Sequence, residues 1–517
     1  MKAFLLFEDR DLDLKRALPA QADTVAKDLG AKTVMDAMAA GDAFIADVCR
    51  LILLSPLSNL PAILYRQDLA KDCLQRPAVI RELYNTAVEA LEAERRTFYG
   101  GSRTPGSLLY RSVEIFRVLE SLLRRLRKAA DAHAASFHSR GFTRLFSVLA
   151  TELDDRFFSD LQGHLKALRF PAGVLLSAGL GDGNKGAGYV LRKPPGTRKG
   201  LRALFAPKIR SYSFTLSDRD EAGARALSEL GDKGVNLVAN ALAQSADHVL
   251  SFFALLKAEL AFYVGCLNLH ERLAGAGTPI SFPIPEESNE PKRTTRGLCD
   301  AGLALMRPGT VVGNDLDADG KRLVVVTGAN QGGKSTFLRS VGLAHLMMQC
   351  GMFVSAASFH AAPCDMLFTH FTREEDPSMK SGKFDEELGR MSEIADVLTP
   401  RSLLLLNESF SATNEREGSE IAGQIIRALV ESGVTIFFVT HMYEFAHDAH
   451  ERQLKTALFL CAERSADGRR TFRVVPGSPL STSFGKDVLR DVFGTNGKAT
   501  PSMPDASQTV GSSARVP

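Results

Sequence analysis

The stretch Gly328-Ala-Asn-Gln-Gly-Gly333-Lys334-Ser335 has the spacing GxxxxGK[ST], and each residue type in it suits the binding of a nucleoside triphosphate. Gly328, Gly332 and Gly333 let successive backbone N–H groups turn inward around phosphate oxygens. The helix expected from Thr336 onward adds the positive end of its dipole. Lys334 is placed to reach the β- and γ-phosphates, and Ser335 to ligate Mg²⁺. The chemistry implied is binding of ATP with Mg²⁺ as cofactors; an ordinary glycine loop is the competing reading.

Hydrolysis needs an acidic group beyond a second strand. The run Leu403 to Leu406 is followed by Asn407-Glu408, which puts a carboxylate at a strand's C-terminal end, where α/β sites lie. Glu408 is the candidate that orients the attacking water, against the alternative of an exposed Glu after any buried strand. A third run, 434 to 439, ends in Thr440-His441 and brings an imidazole toward the γ-phosphate. Taken alone, His441 reads as structural.

These groups need a sheet covered by helices. Short apolar runs at 323–327, 403–406 and 434–440 alternate with helical patterns, including one from Thr336 to about Cys350, so 291–493 is read as an α/β domain. The chain before it, 1–290, is read as mainly helical, an all-α region. Ile80, Leu83, Tyr84, Ala87, Val88 and Leu91 share one helical face, and Ile115, Phe116, Leu119, Leu122, Leu123 and Leu126 share another. The Gly-rich and then basic segment 179–210 cannot be one regular helix and is read as an exposed insertion. Prolines from Pro279 to Pro291 put the domain boundary near Glu290, and the Gly/Ser/Thr/Pro-rich stretch 494–517 is expected to be disordered. No internal repeat is visible.

Composition narrows the class. The chain has 517 residues, 45% hydrophobic and 24% charged, the balance of a globular protein of several domains. A net charge of +3 from 63 basic and 60 acidic residues is too small to argue for nucleic acid by itself. Seven scattered cysteines without a CxxC pair suggest neither a zinc knuckle nor a disulfide framework. The apolar stretch from Val249 to Leu273 contains Lys257, Glu259, Asn268 and His270 and reads as a buried helix rather than a membrane span. The N-terminal MKAFLLFEDRDLD is too short in its apolar run for a signal peptide, so a cytoplasmic location is expected.

In this order, the segments TGANQGGKSTFLRS, LLLLNESFSATNEREGSEIA and FFVTHMYEFA resemble the Walker A, Walker B with D-loop, and switch-histidine segments of the MutS family. The stretch GMFVSAASFHAAPCDMLFTHFTREED and the signature-like SGKFDEELGRMSEIADVL extend the resemblance over most of 298–450. It implies an ABC-type P-loop ATPase domain behind a helical lever and core region. It also implies that Asn330, Lys334, Ser335, Glu408 and His441 form one nucleotide site, with Ser381 acting in trans on the nucleotide of a partner subunit. The implied assembly is therefore a homodimer, with Thr413 and Asn414 in D-loop positions near the contact. The family's Walker B has Asp-Glu where this chain has Asn407-Glu408, so Asn407 would meet Mg²⁺ through a water, with one negative charge fewer. No mismatch-reading domain or Phe-x-Glu wedge is recognisable in the first hundred residues, so structure-specific rather than mismatch-specific DNA binding is expected.

Arg192, Lys193, Arg198, Lys199, Arg202, Lys208 and Arg210 fall within nineteen residues that hold no acid. They are candidate contacts to the backbone of double-stranded or branched DNA, with a solvated basic face as the alternative. Together these readings describe a dimeric DNA-binding ATPase of repair or recombination with a MutL-like factor as a further partner and no membrane. The competing readings are a nucleotide-gated DNA-binding scaffold with little turnover and a chromosome-organising ABC ATPase, whose heptads and LSGGQ-like signature are missing.

Overall fold

The computed structural model describes residues 1–97, 104–171, 173–193, 212–287, 291–309, 311–373, 382–465 and 469–480. Ser381, Arg198, Lys199, Arg202, Lys208, Arg210 and the stretch 494–517 lie outside the described residues.

The N-terminal region is built from α1 (Ala22–Asp28), α2 (Ala31–Ala39), α3 (Ala43–Leu53), α4 (Leu60–Gln75), α5 (Pro77–Thr97), α6 (Pro105–His133), α7 (Arg140–Glu152) and α8 (Asp155–Ala167). A hairpin of β1 (Leu175–Leu180) and β2 (Gly186–Arg192) follows, and then α9 (Glu221–Gly275). Asp42, Asn59, Thr104, Asp154 and Asp220 cap α3, α4, α6, α8 and α9 by accepting first-turn N–H groups, which would otherwise be unpaired. At 55 residues, α9 is on the order of 80 Å long. It is long and apolar enough by composition to cross a membrane, but 72% of its most apolar window is buried within the protein. Its face is spent on packing against α5, α6, α2 and α3. Both apolar stripes read from the sequence, on α5 and α6, face this core.

The hairpin corrects the reading of the region before 290 as all-α. Its strands are antiparallel, with Leu175 opposite Arg192 and Leu180 opposite Gly186. Gly183 and Asn184 take the left-handed conformation that turns the chain between them. Glycines dilute the period-2 alternation of such a short, exposed pair, so it does not stand out in the sequence.

The C-terminal region begins with β3 (Ile284–Pro285), which pairs with a later strand and so starts the sheet before residue 290. Then come β4 (Arg293–Leu298), α10 (Ala301–Met306), β5 (Asn314–Asp317), β6 (Leu323–Gly328), α11 (Lys334–Gln349), β7 (Ser358–Ala361), β8 (Leu367–Phe371) and α12 (Lys383–Ala395). The last elements are β9 (Leu403–Asn407), α13 (Glu415–Glu431), β10 (Thr435–Val439), α14 (Tyr443–Glu451), β11 (Ala457–Arg464) and β12 (Arg470–Pro476). Six strands form one sheet in the order β12-β11-β6-β10-β9-β8, parallel from β11 to β8 with β12 antiparallel at the edge. β3, β7, β4 and β5 form a second sheet. The central strands β6, β9 and β10 are nearly continuous apolar runs because both of their faces are covered.

One hydrophobic core runs through both regions. The end of α11 is tied to the helices: Gln349 Nε2 donates to the Leu57 carbonyl at 2.8 Å, and Leu57 N donates back to the Gln349 carbonyl at 3.0 Å. The irregular N-terminal segment threads into this core without a sheet partner, so side chains satisfy its backbone. Tyr65 OH donates to the Phe4 carbonyl and Tyr263 OH to the Leu5 carbonyl, both at 2.6 Å. Arg66 Nε donates to the Leu6 carbonyl at 3.3 Å. The N–H groups of Leu5 and Leu12 both donate to the carboxyl of Glu259, which is fully buried.

Burial pushes the Glu259 carboxyl up from its ordinary 4.5 to about 7, against the lowering effect of those N–H donors. The folded protein therefore holds a proton that the unfolded chain releases near pH 4.5. Stability is expected to fall as pH rises from about 4.5 to 7, by on the order of 3 kcal/mol from this group. Urea unfolding at pH 5 and pH 8 should show that loss in the wild type and not in Glu259→Gln, which carries no charge at either pH.

Candidate nucleotide site

β6 is buried along its whole length and delivers Gly328 at φ 104°. A Cβ there would lie 3.0 Å from Ala462 N on β11, and one on Gly332 would lie 2.8 Å from the Ala329 carbonyl oxygen. The loop can wind this tightly because neither position carries a side chain. It ends at the first residue of α11, Lys334, whose side chain turns back into the loop. Its Nζ donates to the carbonyls of Gly328 at 2.9 Å and Ala329 at 3.0 Å. Burial lowers this ammonium from its ordinary value to about 8, with Arg470 pushing the same way and Glu408 opposing. Arg470 Nε donates to the Asn330 carbonyl at 3.1 Å, so β12 braces the outer side of the loop. Thr336 is half-buried one residue beyond Ser335.

The neighbouring strands supply the remaining groups. Ser335 Oγ donates to Asn407 Oδ1 at 2.8 Å, joining the start of α11 to the end of β9. In the parallel register Asn407 lies opposite Val439 of β10, and Glu408 N donates to the Val439 carbonyl at 2.8 Å. This brings the carboxylate of Glu408 to His441, with Nε2 to Oε1 at 3.0 Å. The His441 hydrogen bond holds the Glu408 carboxyl below its ordinary range; burial opposes this, and Lys334 reinforces it. Lys334, Ser335, Asn407, Glu408 and His441 thus come together at the C-terminal ends of β6, β9 and β10. The donors and acceptors are oxygen and nitrogen groups with one cation and one carboxylate, an arrangement that can hold a polyphosphate and orient a water.

Comparison with known proteins follows the same division of the chain. Residues 58–276 match the family model of the MutS2 N-terminal domain, and residues 324–493 match MutS domain V. The DNA mismatch repair protein MutS of Thermotoga maritima is 35% identical over 181 residues, which cover 35% of this chain and 23% of that protein. Its namesake in Porphyromonas gingivalis is 32% identical over 260 residues, covering 46% of this chain and 29% of the relative. The chain is a MutS-like protein. Its matched segment spans only about a quarter of these relatives' length.

In this MutS-like chain, the domain V match begins one residue into β6 and so contains the whole cluster. Not every residue singled out from the sequence joins it. Asn414 caps α13 by accepting from Glu417 N at 2.9 Å, and Thr413 Oγ1 donates to Glu417 Oε2 at 2.7 Å. Arg192 and Lys193 are exposed at the end of β2, where Arg192 Nε donates to Ser177 Oγ at 2.9 Å.

Residues that sequence reasoning missed lie behind Glu408: His370 and Thr372 at the end of β8, Glu387 on α12, and Ser409. The available signal was His370 inside the apolar run LFTHF, since a histidine on a strand buried on both faces needs polar partners. Lys334→Met should weaken binding of a fluorescent ATP analogue at least tenfold. The variant removes a buried ammonium held only by two carbonyls, so its circular dichroism and unfolding midpoint should stay near wild type.

Proposed function

We propose that this MutS-like chain is a Mg²⁺-dependent ATPase that dimerises around DNA and responds to DNA structure rather than to a mismatched base. The observation that carries the reading is the convergence of Lys334, Ser335, Asn407, Glu408 and His441 from three neighbouring strand ends. In this reading the domain from β6 onward is a P-loop ATPase domain of the ABC type. The Lys334 ammonium exchanges its two backbone carbonyls for phosphate oxygens. Glu408 leaves its contact with His441 to accept a hydrogen bond from the attacking water, and His441 becomes a donor to the γ-phosphate.

A Mg²⁺ ion fits the donor set. Ser335 Oγ and Asn407 Oδ1 are adjacent hard oxygens, and Mg²⁺ takes few protein ligands beside phosphates and water. When bound, the ion would neutralise charge developing on the phosphates. Ser335 would hold it directly and Asn407 through a water. Ser381 of each chain would complete the nucleotide site of a second copy, which makes the dimer part of the chemistry. Arg192 and Lys193, with the basic residues that follow, would contact the DNA backbone. Binding of this kind weakens with salt and carries no base specificity. A MutL-like repair factor is the further partner that the family relationship suggests, and a cytoplasmic location accords with seven buried free thiols.

A second reading follows from Asn407. Without the acidic side chain, turnover falls so far that ATP only stabilises a DNA-binding dimer. Steady-state phosphate release with branched, mismatched and plain duplex DNA distinguishes the two. Under the ATPase reading the wild type turns over, DNA structure changes the rate, Glu408→Ala is at least a hundredfold slower, and Asn407→Asp changes kcat less than threefold. ATP-driven dimerisation without turnover, with a large gain in Asn407→Asp, would establish the scaffold instead. In the same preparation, Arg192→Glu/Lys193→Glu should lower DNA affinity equally for all sequences and flatten the dependence of log K on log salt.

A further inference from the structure

Glu408 and Phe410 both have positive φ, 55° and 66°. L-residues with side chains of this size adopt that conformation only where their surroundings hold them there. The turn from 408 to 410 decides where the Glu408 carboxylate points, so whatever holds the turn also sets that carboxylate.

Part of the restraint comes from α12 and the end of β8. Phe410 N donates to Glu387 Oε2 at 3.1 Å. Thr372 Oγ1 donates to the Glu408 carbonyl at 2.6 Å and lies 3.4 Å from Glu387 Oε1. The Glu387 carboxyl therefore holds the turn at its third residue, while the Thr372 hydroxyl beside it gives its single hydrogen to the carbonyl of the first. His370 fastens the middle. Its Nε2 faces the Glu387 carbonyl at 3.0 Å, and a carbonyl can only accept, so Nε2 carries the ring proton. Nδ1 faces Ser409 Oγ at 2.8 Å, and the same hydroxyl reaches the His370 carbonyl at 2.6 Å. The Phe410 ring stacks on the same imidazole with centroids 5.8 Å apart. Glu387 is 1% exposed and His370 0%. Burial holds the imidazole down to about 4, with Arg390 and Arg373 acting in the same direction. It is thus neutral at pH 7.

A buried carboxyl is costly unless its oxygens are used. Here burial raises the Glu387 carboxyl, while Arg390, Phe410 N, Lys383 and Thr372 oppose the rise. A residue needed only to fill space between α12 and β8 would be apolar; this one spends a carboxyl oxygen on the turn that carries Glu408.

We propose that Glu387, acting with His370 and Thr372, is a positioning residue for Glu408: it fixes the left-handed 408–410 turn from α12 and so sets the carboxylate that orients water. The inference rests on the ATPase reading above.

The test is a double-mutant cycle on purified full-length protein with Mg²⁺-ATP. Glu387→Ala should lower kcat at least tenfold with KM for ATP within twofold. Glu387→Gln keeps an acceptor for Phe410 N and an amide donor for Thr372 Oγ, and should retain at least a third of wild-type kcat. On a Glu408→Ala background, Glu387→Ala should change the residual rate less than twofold, because its effect passes through Glu408. If Glu387→Ala does not fold, Thr372→Val removes only the hydroxyl that holds the Glu408 carbonyl and should give the same loss confined to kcat.

Wild-type kcat in the folded variant, or an equal loss on the Glu408→Ala background, overturns the inference and leaves the ATPase reading intact. Absence of turnover in the wild type overturns the ATPase reading instead. The positioning claim then stands or falls on a crystal structure of Glu387→Ala, or of Thr372→Val if that variant is the one that folds. Retention of positive φ at both Glu408 and Phe410 refutes it, and loss at either supports it.

Discussion

The candidate site is organised around holding a charged Lys334 where water hardly reaches. Such a group costs free energy unless its hydrogens are taken up, and here two carbonyls of its own loop take them. That solution requires the chain to double back at once after β6, which in turn requires glycine at 328 and 332. It also requires β6 to lie between β10 and β11, so that the loop opens at the same edge of the sheet as Asn407, Glu408 and His441. The desolvation that lowers the lysine also makes it ready to exchange carbonyls for a stronger anion.

α11 extends this local constraint to the rest of the molecule. Its first residue is Lys334 and its last is Gln349. Gln349 exchanges hydrogen bonds with Leu57, between α3 and α4, and with Cys364, before β8. The helix is buried along nearly its whole length, so it cannot shift at the loop end without disturbing the contact between the helical region and the sheet. α1 reaches the same sheet at β8, where Asp28 lies near Thr369, Arg373 and Arg390. Two contacts therefore join the helices to the strands beside the candidate site, one behind Lys334 and one beside the His370–Glu387 network.

The parts legible in the sequence are those where one local pattern decides the outcome. The GxxxxGK[ST] spacing, the apolar runs of β6, β9 and β10, and the stripes on α5 and α6 all belong to this kind. The hairpin 175–192 was not legible, because glycine-rich antiparallel pairs outside a core have little alternation to read. The pairing of β3 with β7 was not legible either, since two residues of strand within a proline-rich stretch give no period. The support behind Glu408 escaped for a different reason: His370, Thr372, Glu387 and Ser409 are scattered over forty positions, and only the parallel pairing of β8 with β9 brings them together. Spacing reveals a loop that binds with its own backbone, but not a network assembled from three elements.

Asn407 shows why that network matters to the functional reading. A carboxylate at this position would place a second negative charge beside Glu408, opposing its ionisation while attracting a metal ion. With an amide there, Glu408 is the sole anion among these five residues, and His441 and Lys334 both hold it ionised. The Ser335 hydroxyl still finds an acceptor in the amide oxygen, so the geometry of the strand end is kept while the charge is lost. Under the proposed ATPase reading, the site would give up some pull on a cation yet keep a charged group to act on water. Such an exchange is useful only if the remaining carboxylate is aimed well, and the buried contacts from α12 and β8 do the aiming.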